Sequence, residues 1–327
     1  MPANVQTMAY YGEVPWHGLG KKVPKGVSAE EMIQAAGLDW TVDLKPALGA
    51  RKINKKGEYS RYEVLRVPRV KEKESPVLLG VVSRRYRPLQ NSEAFKFFDP
   101  IVGDQKAYFE TAGALGEGER IWVMARMPEV MEVVRGDECF KYLLLSNTHN
   151  GEGSVIVKFT TVRVVCQNTL MLAMEDGQKA YRVRHSKQMQ FKLDELADFL
   201  AITQKVFQEA EQTFRRLAAV KMTSERLEHY FDAVFPRTEV QKKRDEKPPR
   251  WGFLREMFDS QPDLQLPGVQ GTLWGAYNAI TRFEDYKEPK QDELPDQRLE
   301  RTWFGSGADT KLTALVKADE LAVRWKN

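Results

Sequence analysis

The stretch 143–174, LLLSNTHNGEGSVIVKFTTVRVVCQNTLMLAM, constrains the fold more than any other part of the chain. Asn150-Gly151 is the dipeptide that closes a tight hairpin, because both central positions of that turn need positive φ. Apolar and β-branched runs at 143–146 and 155–165 flank it and read as the paired strands. The period then changes: Leu170, Ala173 and Met174 fit a helix that starts near Gln167. Thr160, Thr161, Arg163, Cys166, Gln167 and Asn168 gather at this strand-to-helix junction, where backbone N–H groups can meet an anion.

Punctuation elsewhere supports the same class of fold. Glycines and prolines break any period over 1–26, which reads as an arm that docks through Tyr10, Tyr11 and Trp16. A helix over 29–36 is opened by the Ser28/Glu31 capping box and stopped by Gly37. Strands are expected at 40–48, 59–67 and 77–87, then a helix over 93–102 capped by Asn91 or Ser92. A second hairpin follows, 108–114 with 120–127. From about 193 the spacing becomes helical, with Leu196, Phe199, Phe207, Phe214 and Leu217 on one stripe. Further helices are expected at 224–235, 271–286 and 310–326, and the charged, proline-bearing segment 236–250 reads as a flexible loop. The predicted architecture is α+β: a twisted, mainly antiparallel sheet with hairpins and a β-β-β-α core, helices on one face, and a helical C-terminal portion. The segments are an arm at 1–26, the α+β core at 27–192 and the helical region at 193–327.

Composition narrows the function classes. With 42% hydrophobic residues in 327, the chain has material for a substantial core, and a net charge of +4 does not by itself specify a nucleic-acid partner. Cys139 and Cys166 form no CxxC, so a reduced, cytoplasmic chain is expected, with Cys166 as a buried thiol. Nothing resembles a leader or a membrane span, and no membrane partner is expected. His17, His149, His185 and His229 lie far apart and form no ligand motif, so no metal and no cofactor is expected. Gly18-Leu19-Gly20-Lys21-Lys22 lacks the phosphate-loop spacing, and Gly305-Ser306-Gly307 reads as a turn before a helix capped by Asp309. Asp137-Glu138 and Glu284-Asp285 read as solvated acids. No catalytic set emerges, and a non-enzymatic role is the leading expectation; the alternatives are a metal-dependent nucleic-acid-processing enzyme and an interaction protein that targets a host partner.

Basic residues are more informative. Arg84 and Arg85 precede Tyr86 in SRRYRP, and Lys179, Arg182, Arg184 and Lys187 surround Tyr181 in KAYRVRHSK; Lys158 and Arg163 sit on the hairpin between them. Cations neutralise phosphates, and an interleaved aromatic can stack on a base. Strand alternation puts Arg182 and Arg184 on one face and Tyr181 and Val183 on the other, a cationic stripe. All ten residues are candidates for DNA contact if their segments converge.

Several segments together resemble one family: TTVRVVCQNTL at 160–170, GVVSRRYRPLQNSEAF at 80–95 and GTLWGAYNAITRFED at 271–285, with PWHGLG at 15–20 and FGSGADTKLTAL at 304–315. The chain is similar to the phage and plasmid proteins built on domain of unknown function 932. At the level of fold, the hairpin, third strand and helix resemble the core of single-strand annealing recombination proteins. That resemblance implies a ring- or filament-forming homo-oligomer that holds single-stranded DNA in a basic groove and anneals it without ATP.

Overall fold

The longest strands are buried on both faces over most of their length, and in the computed structural model of the protein they assemble into an eight-stranded sheet. Residues 5–12, 20–55, 57–69, 75–103, 105–163, 169–171, 181–189, 203–287 and 301–325 are described. In chain order, β1 (Val5–Tyr10) and β2 (Lys21–Lys22) precede α1 (Ala29–Ala35). Then come β3 (Thr41–Pro46), β4 (Arg61–Val67), β5 (Val77–Ser83), α2 (Asn91–Lys96) and α3 (Asp99–Val102). The central strands are β6 (Tyr108–Leu115), β7 (Arg120–Val134), β8 (Asp137–Thr148) and β9 (Val155–Arg163), followed by β10 (Thr169–Met171) and β11 (Tyr181–Val183). The helical region holds α4 (Thr203–Ala219), α5 (Ser224–Val234), α6 (Glu239–Lys243), α7 (Pro249–Ser260), α8 (Leu273–Arg282), a π-helical turn (Phe283–Lys287) and α9 (Ser306–Arg324).

The large sheet runs β10-β9-β8-β7-β6-β1-β2, with β11 also paired to β9, and is antiparallel except for β1 with β2. β3, β4 and β5 form a separate antiparallel sheet. The architecture is therefore α+β with a mainly antiparallel sheet and a helical C-terminal region, as the periodicity indicated. One apolar cluster extends from Ala9 through Val123, Leu143 and Phe159 to Phe214, Trp274 and Ala322, so the helical region shares the core of the sheet. Alternate residues of the same strands, among them Trp122, Met124, Tyr142 and Leu144, form a smaller cluster on the second face, beneath Trp303 and Phe304.

Asn150 and Gly151 lie in the loop that joins β8 to β9, with Gly151 at φ 83°, but that loop spans 149–154 and Asn150 does not take positive φ, so it is longer than the two-residue turn expected. It rests on the small sheet: a Cβ added to Gly80 would lie 2.4 Å from the Asn150 carbonyl oxygen. Backbone on both sides leaves no side chain to swing away. Gly80→Ala is therefore expected to cost about 1–3 kcal/mol, read as a lower urea midpoint.

Several expectations are corrected. The arm at 1–26 is not irregular throughout, because β1 pairs with β6 across five register positions from Val5 to Tyr10. The helix expected near Gln167 is not formed over Thr169–Met171; these residues pair with Thr160, Thr161 and Val162, satisfying an edge of β9 that would otherwise stay open. Residues 164–168 and 172–180, with Cys166, Ala173, Met174 and Lys179, lie outside the described residues, as do 190–202 at the start of the expected long helix. Within 236–250, Thr238 and Gln241 form a capping box that starts α6, so that loop is partly helical. The cap of α2 is Gln90, since Asn91 turns its amide inward to the carbonyls of Leu38 (3.0 Å) and Trp40 (3.4 Å).

Candidate nucleic-acid interface

Two of the basic segments meet at one corner of the molecule. Beyond Ser83 the chain turns, and the buried Tyr86 ring stacks on His185, which follows β11, with centroids 4.6 Å apart at 28°. The backbones close around this stack: the Arg87 N–H donates to the His185 carbonyl (3.3 Å), and His185 Nδ1–H donates to the Arg87 carbonyl (3.1 Å). The Tyr86 hydroxyl donates to the Thr148 carbonyl at 3.4 Å. The Arg87 guanidinium is used internally, on the carbonyls of Arg84 (3.1 Å) and Tyr86 (2.8 Å). Arg84, Arg85, Arg184 and Lys187 are exposed around the stack, and Arg182 is exposed on β11. Arg84 lies 3.5 Å from Glu58, and both side chains are about half exposed, so this pair contributes at most about 1 kcal/mol and remains exchangeable.

Other candidates are not available to a phosphate or a base. Tyr86 is buried in the stack, and Tyr181 packs against the main core. Arg163 is fully buried: its Nε donates to Asp137 (2.6 Å), and its Nη atoms donate to the carboxylate (3.1 Å) and carbonyl (2.8 Å) of Asp263. Trp274 Nε1 donates to the other Asp137 oxygen at 2.7 Å, and Arg282 lies 3.3 Å from Asp263. Arg163 thus pins the end of β9 to the helical region and is already neutralised. Lys158, 6% exposed on the second face, donates to the Trp303 carbonyl and lies 4.9 Å from the Phe304 ring centre. Burial, with repulsion from Lys311, Arg182 and Arg120, pushes its ammonium down to about 7.

Residues 78–303 match the family model described as domain of unknown function DUF932. The chain belongs to the DUF932 family. No curated protein and no solved structure matches it. The DUF932 match begins in β5 and ends at Trp303, so it contains the whole basic corner.

Within and just beyond the DUF932 match lie buried charges that local spacing did not reveal. Glu284 and Asp285, read from sequence as solvated acids, lie in the π-helical turn. Arg301 donates to Glu284 at 3.2 Å, and the fully buried Lys311 lies 2.7 Å from Asp285. Arg120, which sequence reading passed over, sits 4.8 Å from the Phe304 ring centre and donates to Ser146 Oγ at 3.3 Å. Further along the same sheet face, Tyr142 donates to Glu110 at 2.5 Å and Arg126 donates to Glu110 at 3.3 Å. Burial raises the Glu110 carboxyl above its ordinary value despite both contacts. Each of these pairs is at least 16 residues apart in sequence, which is why no motif pointed to them. Among the described residues, no three His, Cys, Asp or Glu side chains group as a metal cluster, and no helix is long and apolar enough to cross a membrane.

Proposed function

We propose that this DUF932 protein binds single-stranded DNA through the basic corner and acts as a non-enzymatic annealing protein. In this reading it works in homologous recombination on a phage, prophage or plasmid replicon, without ATP, as a homo-oligomeric ring or filament. The observation that carries the reading is the Tyr86–His185 clamp, which sets Arg84 and Arg85 beside Arg184 and Lys187. Guanidinium groups suit phosphate oxygens because their planar fork donates two parallel hydrogen bonds. Lys158, Arg163, Tyr86 and Tyr181 face inward, so the proposed contact set reduces to the exposed cations Arg84, Arg85, Arg182, Arg184 and Lys187.

Fluorescence anisotropy with a labelled oligonucleotide tests this. Binding should weaken as salt rises, with a log–log slope of roughly −3 if four or five cations each release a counterion from a single strand. Combining Arg84→Gln, Arg85→Gln, Arg184→Gln and Lys187→Gln should flatten that slope and lower affinity at least about tenfold. Absence of binding at low salt would end the proposal. Electron microscopy with and without single-stranded DNA reads the assembly directly.

A further inference from the structure

The end of the small sheet beside the basic corner carries a second set of cations. A loop, 47–60, joins β3 to β4, and Arg61 at the start of β4 pairs with Ser83, the last residue of β5 before Arg84. The loop therefore projects from the end of the sheet at which the chain turns into the corner. Glu58 in the loop touches the corner directly, 3.5 Å from Arg84. Arg51, Lys52, Lys55 and Arg61 are all exposed, and among the described residues none of them has an acidic partner. All four precede 78, where the DUF932 match begins.

The loop is held in shape by its own hydrogen bonds. The Ile53 N–H donates to the Glu58 carbonyl (2.7 Å), and the Ser60 N–H donates to the Arg51 carbonyl (2.9 Å). The Asn54 amide donates to the Glu58 carboxylate (2.9 Å), and its oxygen accepts from the Glu58 N–H (3.2 Å). Cations on an ordered backbone bind a ligand at a lower entropic cost than cations on a slack one. The same loop holds two aliphatic side chains in water: Leu48 is 99% exposed and Ile53 46%. One such residue is ordinary on a surface, but two among four cations offer a ligand apolar contact as well as charge. A polyanion that presents flat apolar faces is a nucleic acid with unpaired bases, because a duplex keeps those faces inside its stack.

We propose that the 47–60 loop is a second contact for single-stranded DNA, in which Arg51, Lys52, Lys55 and Arg61 take the phosphates next to those on the basic corner while Leu48 and Ile53 pack against unpaired bases. This rests on the reading of the corner as a single-strand site and extends that site onto the small sheet. The strand runs from Arg182 and Arg184 past Arg84 and Arg85 to Arg61 and the loop.

The test uses the full chain and two labelled oligonucleotides, one long and one too short to cover both elements. Four added phosphate contacts should make the salt slope for the long one steeper by about 2–3. Combining Arg51→Gln, Lys52→Gln, Lys55→Gln and Arg61→Gln should remove that difference and weaken binding of the long oligonucleotide at least about tenfold. Leu48→Ser with Ile53→Ser should lower affinity several-fold at an unchanged slope, and an unchanged affinity there overturns the contact with unpaired bases. All six side chains are exposed, so both variants should keep the wild-type urea midpoint. If the corner variant loses binding and the four-cation loop variant does not, this inference is overturned and the corner reading stands. No binding by the unaltered chain ends both. If the loop variant loses only its binding to vesicles of phosphatidylcholine and phosphatidylserine, the loop belongs to a membrane surface and the inference is likewise overturned.

Discussion

Replacing Arg163 with methionine should destabilise the protein by about 3–5 kcal/mol, the usual cost of removing one partner of a buried ion pair. The guanidinium is fully buried and satisfies Asp137, Asp263 and a main-chain carbonyl, so its loss strands the Asp137 carboxylate inside the core. The remaining hydrogen bond from Trp274 cannot offset that charge. Asp263 suffers less, because Arg282 still faces it at 3.3 Å. Adding Asp137→Leu to Arg163→Met should recover more than half of the loss, since an apolar pair of similar volume often replaces a buried ion pair at little cost. Urea midpoints of the wild type, both single variants and the double variant measure the coupling. An unchanged midpoint in Arg163→Met would show that this network does not hold β9 to the helical region. Under conditions where the variant is folded, the proposed binding of single-stranded DNA should be unaffected.

Lys158 should give the opposite result. Its ammonium is held at about 7 in the fold against 10.5 for the free side chain, chiefly by burial. Between those values the unfolded chain binds more protons than the folded one, so stability rises as pH climbs from about 7 towards 10. Below pH 7 the full penalty is present, on the order of 4 kcal/mol. Lys158→Met removes the amine and keeps the stem, so it should stabilise the protein at pH 6 by about 1–4 kcal/mol and abolish the rise at alkaline pH. Urea denaturation at pH 6 and pH 9 distinguishes the outcomes. A variant less stable than the wild type at both pH values would mean that the contacts of the amine outweigh its desolvation.

Much of the architecture was legible because it is written locally. Gly151 takes the positive φ that glycine tolerates in the loop after β8, and Ser28 with Glu31 defines the start of α1 through two reciprocal hydrogen bonds. The alternation of Arg182 and Arg184 against Val183 follows from the two-residue period of any strand, and the structure keeps it. The helix expected after Gln167 failed over Thr169–Met171 because the open edge of β9 competes for those backbone groups, which helical spacing cannot report.

The chemistry of individual side chains was decided at longer range. In sequence, Arg163 and Arg184 are equally good phosphate ligands. The fold brings Asp137 and Asp263 to one, while the other remains exposed. Asp285 looked solvated until Lys311 was folded onto it, and Tyr86 and His185 looked unrelated until their rings stacked. Backbone propensity and side-chain direction act over a few residues, so the sequence alone determined the strands, the turn and most helices. Burial and charge pairing act across space between segments far apart in the chain, so only the tertiary structure decided which cations face water and which neutralise the core.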